Sequence, residues 1–212
     1  MSITHEDLAQ LMSAPAPFDR EGWIFELKYD GFRMLAAHRN GRAELVSRRG
    51  NDFADRFPEI STQLLKLPTT VLDAELVILD HDGVPDFERL MRRSRLTRRI
   101  SIDHGARANP ACLWVFDVLE LAGTDVRERP LLERKAMIDP IIDGAERIRE
   151  VGHFDTKGLM LFKVAEGVGF EGIVAKRGDA PYPRGGHSKD WVKIKTTHGR
   201  RIDEERARWN ER

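Results

Sequence analysis

Short runs in which apolar and polar residues alternate recur along the chain. In WIFELK (Trp23–Lys28), Phe25 and Leu27 fall on one face of an extended segment, and Glu26 and Lys28 fall on the other. Phe32–His38 and Ala43–Ser47 are two further strand-like runs, and Asn40-Gly41 between them has the chemistry of a tight hairpin turn. Val71–Leu79, Cys112–Leu121, Glu171–Arg177 and Trp191–Thr196 complete the predicted strands. Helical spacing is found in Phe57–Leu67, Asp86–Arg93 and Thr156–Val168, and again from Leu131 to Ile142, where Pro140 is expected to break the helix. Ser13–Asp19 (SAPAPFD) reads as a stiff lead-in, and GDAPYPRGGHSKD (178–190) as a turn-rich loop. Strands outnumber helices and adjoin through hairpins, which predicts an α+β fold with antiparallel sheets rather than a doubly wound parallel one.

The 212 residues suffice for a sizeable core, and 41% apolar with 33% charged residues describe a soluble globular protein. Cys112 is the single cysteine, which rules out an internal disulfide framework and suits a reducing compartment. The first residues lack the basic start and apolar core of a secretion signal, and no run approaches the ~20 apolar residues of a membrane span. A cytoplasmic location is expected, with no membrane partner. The net charge of zero is unevenly spread. Seven arginines and one acid, Asp103, lie between Arg89 and Arg107, a local charge of +6. Such a run is often only a solvated face, but arginine favours phosphate contacts, so Arg92, Arg93, Arg95, Arg98 and Arg99 are candidate nucleic-acid contacts.

Several predicted strands carry charges that a buried sheet would not tolerate unpaired. Asp73 and Glu75 share a face in LDAEL, Glu171 opens EGIVAK, and Lys193 and Lys195 share a face in WVKIK. Carboxylates alone suggest a divalent cation and lysines alone an anion; together along one chain they suggest a metal-bound polyphosphate. Internal ion pairs that stiffen a sheet are the plain alternative.

These residues amount to a resemblance. KYDGFR (Lys28–Arg33) resembles the K-x-D-G-x-R nucleophile motif of the covalent nucleotidyltransferases, which include DNA ligases, RNA ligases and mRNA capping enzymes. SRRG (Ser47–Gly50), LDAELV (Leu72–Val77), VFDVLEL (Val115–Leu121), EGIVAK (Glu171–Lys176) and WVKIK (Trp191–Lys195) follow in the family's order. The likeness covers residues from about 10 to 196 and is greatest to the ATP-dependent DNA ligases, especially the ligase domains of bacterial end-joining proteins. It implies an ATP-grasp-like adenylation domain over 1–196, followed by a charged tail or short helix over 197–212.

The resemblance also implies a chemistry. The Lys28 amine attacks the α-phosphate of ATP and pyrophosphate leaves, giving a lysyl-AMP that is passed to the 5′-phosphate of nicked or broken duplex DNA. Asp30 and Arg33 belong to the same catalytic motif. Glu26 would lie at the adenine edge and Phe116 would stack on the base. Arg33 and Arg48 would contact ribose and phosphates, with Arg48 rather than Arg49 reaching the DNA 5′-phosphate. Glu75 would hold the ribose or a metal, Glu171 a Mg²⁺ or Mn²⁺, and Lys193 and Lys195 the phosphates as charge develops. A neutral Lys28 is required, so like charge from Lys193 and Lys195 would help and a nearby Glu26 or Asp30 would oppose. Two features depart from the family. Gly186-His187 stand where end-joining relatives usually carry two arginines. The sequence also ends 17 residues after Lys195, so no OB-fold is expected within it, and a partner supplying an OB-fold or end-binding function is implied for a monomeric chain. Two other readings stay open on the residues: an RNA ligase of the same superfamily, and a non-catalytic nucleic-acid-binding remnant.

Overall fold

Burial follows the alternation. In Trp23–Lys28, Trp23, Phe25 and Leu27 pack on one side and Ile24 on the other, so both faces of the strand are covered at its start. The computed structural model describes residues 3–210. Its strands are β1 (Gln10–Ser13), β2 (Trp23–Lys28), β3 (Phe32–Arg39), β4 (Arg42–Ser47), β5 (Thr70–Val77), β6 (Cys112–Leu121), β7 (Thr124–Asp125), β8 (Ile148–Glu150), β9 (His153–Asp155), β10 (Gly172–Arg177) and β11 (His187–Lys195). The helices are α1 (Pro58–Leu64), α2 (Phe87–Ser94), α3 (Arg99–Ala108), α4 (Leu131–Lys135), α5 (Ile138–Ile142), α6 (Gly158–Val168) and α7 (Thr197–Asn210).

Two sheets result. One runs β1-β11-β10-β2-β9, the other β4-β3-β5-β6-β7 with β8 beside β6. Pairing is antiparallel except for β1 with β11 and β6 with β8. Ile24, Leu35, Val71, Leu119 and Trp191 fill the layer between the sheets. α6 closes the outer face of the first sheet through Leu161 and Ala165, against Phe25, Ile173 and Ala175. Ile60, Leu64, Leu90 and Ile138, from α1, α2 and α5, close the outer face of the second. The expected α+β class with antiparallel sheets is what the chain adopts. Among the described residues no helix is long and apolar enough to cross a membrane.

Local chemistry explains most boundaries. Asn40 and Gly41 both take positive φ, 51° and 69°, as a two-residue hairpin loop requires. Asp86 caps α2 by accepting from the Arg89 amide at 2.8 Å. Pro140 does not break a helix. It stands third in α5, where its missing N–H has no intrahelical partner to lose, and the break falls earlier, between Lys135 and Ile138. The loop expected over 178–190 is shorter, since His187–Asp190 already belong to β11 and pair in part with β1. β1, β8 and β9 are only three or four residues long, and nothing in their own sequence announces them. The charged tail forms α7 through Asn210, and residues 211–212 lie outside the described ones.

The nucleophile motif is not a hairpin. β2 and β3 lie in different sheets, so Tyr29–Gly31 carries the chain across from one to the other. A Cβ on Gly31 would sit 2.2 Å from the Leu76 carbonyl oxygen of β5, so only glycine permits the crossing.

Candidate active site

Register on the first sheet builds the site. Gly172 of β10 pairs with Lys28 on one side and Lys195 on the other, and Val174 pairs with Glu26 and Lys193. Since Ile173, Ala175, Val192 and Ile194 pack outward, Glu26, Lys28, Lys176, Trp191, Lys193 and Lys195 all turn toward the second sheet. Gly172 leaves the floor between Lys28 and Lys195 bare. On the facing sheet, Arg33 pairs with Glu75, and Glu75 pairs with Trp114. Glu26, Lys28, Tyr29, Arg33, Glu75, Phe116, Lys176 and Trp191 line one cleft between the sheets.

Lys28 Nζ donates to Glu171 Oε2 at 2.5 Å, and Lys195 Nζ lies 2.7 Å from Glu171 Oε1. Burial would raise the Glu171 carboxyl, but Lys28 and Lys195 overcome it and hold the group below its ordinary value. Lys195 is also paired with Asp203 of α7 at 2.6 Å. Thr196 anchors that helix by donating to the Phe170 carbonyl at 2.8 Å and accepting from the Gly199 amide at 3.0 Å. Lys193 makes no ion pair among the described residues, and burial with Lys195 and Lys28 nearby lowers its ammonium from the ordinary value.

Glu75 is the perturbed carboxyl. Burial, aided by Glu171 and Asp30, pushes it up to about 8 against the opposing Lys28 and Arg33. A cation would relieve this crowding of acids, and the carboxylate oxygens of Glu75 and Glu171 are of the ligand type that Mg²⁺ prefers. Between about pH 4.5 and 8 the folded chain holds a proton on Glu75 that the unfolded chain has lost, so stability falls as pH rises through that window. In metal-free buffer, thermal melts from about pH 5 to 8.5 should show wild type losing ground to Glu75→Gln as pH rises, and parallel curves would contradict it. Among the described residues, the group of three with metal-ligand spacing is Asp80-His81-Asp82, in a turn in which Asp80 Oδ1 accepts from the Asp82 and Val84 amides.

Arg33 is committed on several sides. Its guanidinium makes a two-point pair with Asp73 at 2.9 and 2.6 Å, donates to the Ala9 carbonyl, and lies 5.4 Å from the Phe116 ring. Tyr182 donates to the same Asp73 at 2.5 Å and accepts from the Ala9 amide at 3.0 Å. Burial works against the Arg33 charge, but Asp73 overcomes it and raises the group above its usual range.

At the inner end, Glu26 does not oppose Lys28. Its Oε2 lies 2.6 Å from Lys176 and its Oε1 2.7 Å from Lys135 of α4. Burial would raise this carboxyl, but Lys135 and Lys176 hold it down and ionised. Lys176 stands 4.3 Å from the Phe116 ring and 4.1 Å from Trp191, and burial lowers its ammonium.

The arginine candidates divide. Arg93 is only 2% exposed; it pairs with Glu59 at 3.2 Å, donates to the Arg56 carbonyl and covers the Phe57 ring, so it is a structural residue and not a nucleic-acid contact. Arg92, Arg95, Arg98 and Arg99 are exposed, with Arg92 near Glu88 and Arg99 near Asp103 in surface pairs. Arg48 and Arg49 are exposed in the turn after β4 and do not line the cleft. Ser47 pairs with Met34, so that turn stands level with Arg33. The Gly186 carbonyl, in the divergent loop, accepts from the Gln10 amide. Lys176, Lys135, Trp191 and Tyr182 were not singled out from sequence. Lys176 and Trp191 could have been, since they share the strand parity of Val174 and of Lys193.

Two antiparallel sheets enclosing a cleft with a lysine at its mouth are the arrangement of the nucleotidyltransferase domains of ligases. The chain belongs to the ATP dependent DNA ligase domain family, whose model matches residues 6–195. It is 31% identical over 185 residues to the SPbeta prophage-derived DNA ligase-like protein LigB of Bacillus subtilis (strain 168), covering 87% of this chain and 65% of that one. It is 36% identical over 208 residues to the bifunctional non-homologous end joining protein LigD of the same organism, covering 87% of this chain and 33% of LigD. The structure of mycobacterial DNA ligase D complexed with ATP and MES matches with a TM-score of 0.72 at 27% identity, over 91% of this chain and 62% of that one. The chain thus spans less than two thirds of the length of each of these relatives.

Proposed function

We propose that the chain is the adenylation domain of an ATP-dependent DNA ligase acting in bacterial end joining. The observation that carries this is the convergence of Lys28, Glu171 and Lys195, with Lys193 on the same strand face, beside a cleft lined by Lys28, Glu26, Lys176, Phe116 and Trp191. In this reading adenine stacks on Phe116 with its polar edge at Glu26 and Lys176, and Arg33 reaches the ribose and phosphates. Lys28 Nζ, whose hydrogen bond Glu171 Oε2 accepts, releases its proton to solvent and attacks the α-phosphate. The Nζ–P bond forms as the bond to pyrophosphate breaks, and Lys193 and Lys195 offset the charge that develops. Glu75 and Glu171 would hold Mg²⁺, which would neutralise charge on the triphosphate. AMP then passes to a DNA 5′-phosphate held by Arg48, and the neighbouring 3′-hydroxyl displaces it. The chain works as a monomer in the cytoplasm, with an OB-fold or end-binding function supplied by a partner or a further segment.

Incubation with α-labelled ATP and Mg²⁺ should attach one AMP through an acid-labile bond, and Lys28→Ala should abolish it. An adduct mapped to another residue, or sealing of nicked RNA in preference to DNA, would overturn the reading. For the DNA surface, the slope of log K for nicked DNA against log salt should flatten by up to about three units when Arg92, Arg95 and Arg98 become alanine, at about 0.9 per phosphate contact. An unchanged slope would mean that these arginines are only a solvated face.

A further inference from the structure

Lys135 stands behind the cleft and does not line it, yet it is 2% exposed and fully engaged. Its ammonium donates to one backbone carbonyl and is ion-paired with two carboxylates. Glu26 Oε1 lies at 2.7 Å, the Val151 carbonyl at 3.0 Å and Glu150 Oε1 at 3.2 Å. Glu26 on β2 and Val151 in the link between β8 and β9 both line the cleft, so a single buried cation from α4 ties two of its walls together. Glu26 is in turn bracketed by Lys176 on its other oxygen. The four charges, two lysines and two glutamates, balance, so the cluster is stable only when complete.

We infer that Lys135 is a positioning residue for purine selection, holding Glu26 as a fixed, ionised acceptor beside the donor Lys176; this rests on the adenylation reading above. The chemistry of the two purines gives the arrangement its meaning. Adenine offers an amino donor at N6 and an acceptor at N1, complementary to a carboxylate and an ammonium side by side. Guanine offers an acceptor at O6 and a donor at N1, which face the same pair with both polarities reversed. Discrimination of this kind requires that the two groups cannot exchange places or rotate away, and Lys135 supplies the tether on the Glu26 side.

The test compares ATP and GTP as donors of the lysyl-nucleotide adduct, using the full chain. Lys135→Met should raise the KM for ATP by about tenfold or more and lower the preference for ATP over GTP by a similar factor, the scale of one lost charged hydrogen bond. Turnover at saturating ATP should stay within about threefold, because Lys135 touches neither Lys28 nor Glu171. Lys135→Arg, which keeps the charge, should restore most of the preference, and Lys135→Gln carries the same test if the methionine variant does not fold. On the unaltered chain, the Lys135 Nζ resonance, assigned by its loss in Lys135→Arg, should shift when ATP binds and not with GTP. Wild-type preference retained in Lys135→Met or Lys135→Gln, or a fall in turnover with KM unchanged, would overturn the inference. No adduct from either nucleotide in wild type would instead overturn the adenylation reading on which it rests.

Discussion

Glu171→Ala should slow lysyl-AMP formation by about 10²–10³-fold at saturating ATP and Mg²⁺, the range seen when one preorganised electrostatic partner is removed from a reaction centre. The reason is geometric. Glu171 is 5% exposed and each of its oxygens holds a lysine, Lys28 at 2.5 Å and Lys195 at 2.7 Å, from two strands that flank β10. Without it, Lys28 loses its counter-ion, Lys195 keeps only Asp203, and the two lysines take up other rotamers. Misplacement of a nucleophile by about 1 Å is enough to cost some 10²-fold. Single-turnover labelling, with circular dichroism to confirm an unchanged fold, makes the measurement. A loss under about fivefold would show that the Lys28–Glu171 pair belongs to the resting fold and not to the reaction.

Asp73→Ala should act through stability instead, lowering it by about 3–5 kcal/mol, as expected when one partner of a buried ion pair is removed. Asp73 is 0% exposed and carries both Arg33 and the Tyr182 hydroxyl, and Tyr182 in turn holds the Ala9 amide. Alanine therefore strands a guanidinium whose side chain is 13% exposed and detaches the segment before β1. Equilibrium urea denaturation should show the midpoint fall without a change in slope, and Asp73→Asn, which keeps an acceptor, should lose less. A loss below about 1 kcal/mol would mean that Arg33 finds water or another partner once Asp73 is gone. The contrast separates two acidic residues that look alike in sequence: Glu171 sits between Lys28 and Lys195, while Asp73 holds together the wall opposite.

The chain by itself determined the strands that carry the site and the order of their motifs. A period of two is a local property, so the shared face of Glu26 and Lys28, and that of Lys193 and Lys195, could be read from adjacent residues. Asn40-Gly41 was equally legible, because turn chemistry is confined to a few neighbouring residues. Partner choice among the charges was decided only by the tertiary structure. Glu26 lies two residues from Lys28 but pairs across elements with Lys135 and Lys176, which register and the docking of α4 bring to it. Arg93 stands in a run of exposed arginines, yet the helical period places it three residues from Leu90 on the inward face of α2, where Glu59 and the Phe57 ring receive it. Lys135 had no signal at all. Whether a lysine on a short helix is solvated or becomes the tether of a binding cleft depends on which acceptors the fold delivers to its three donors, and those come from positions far along the chain.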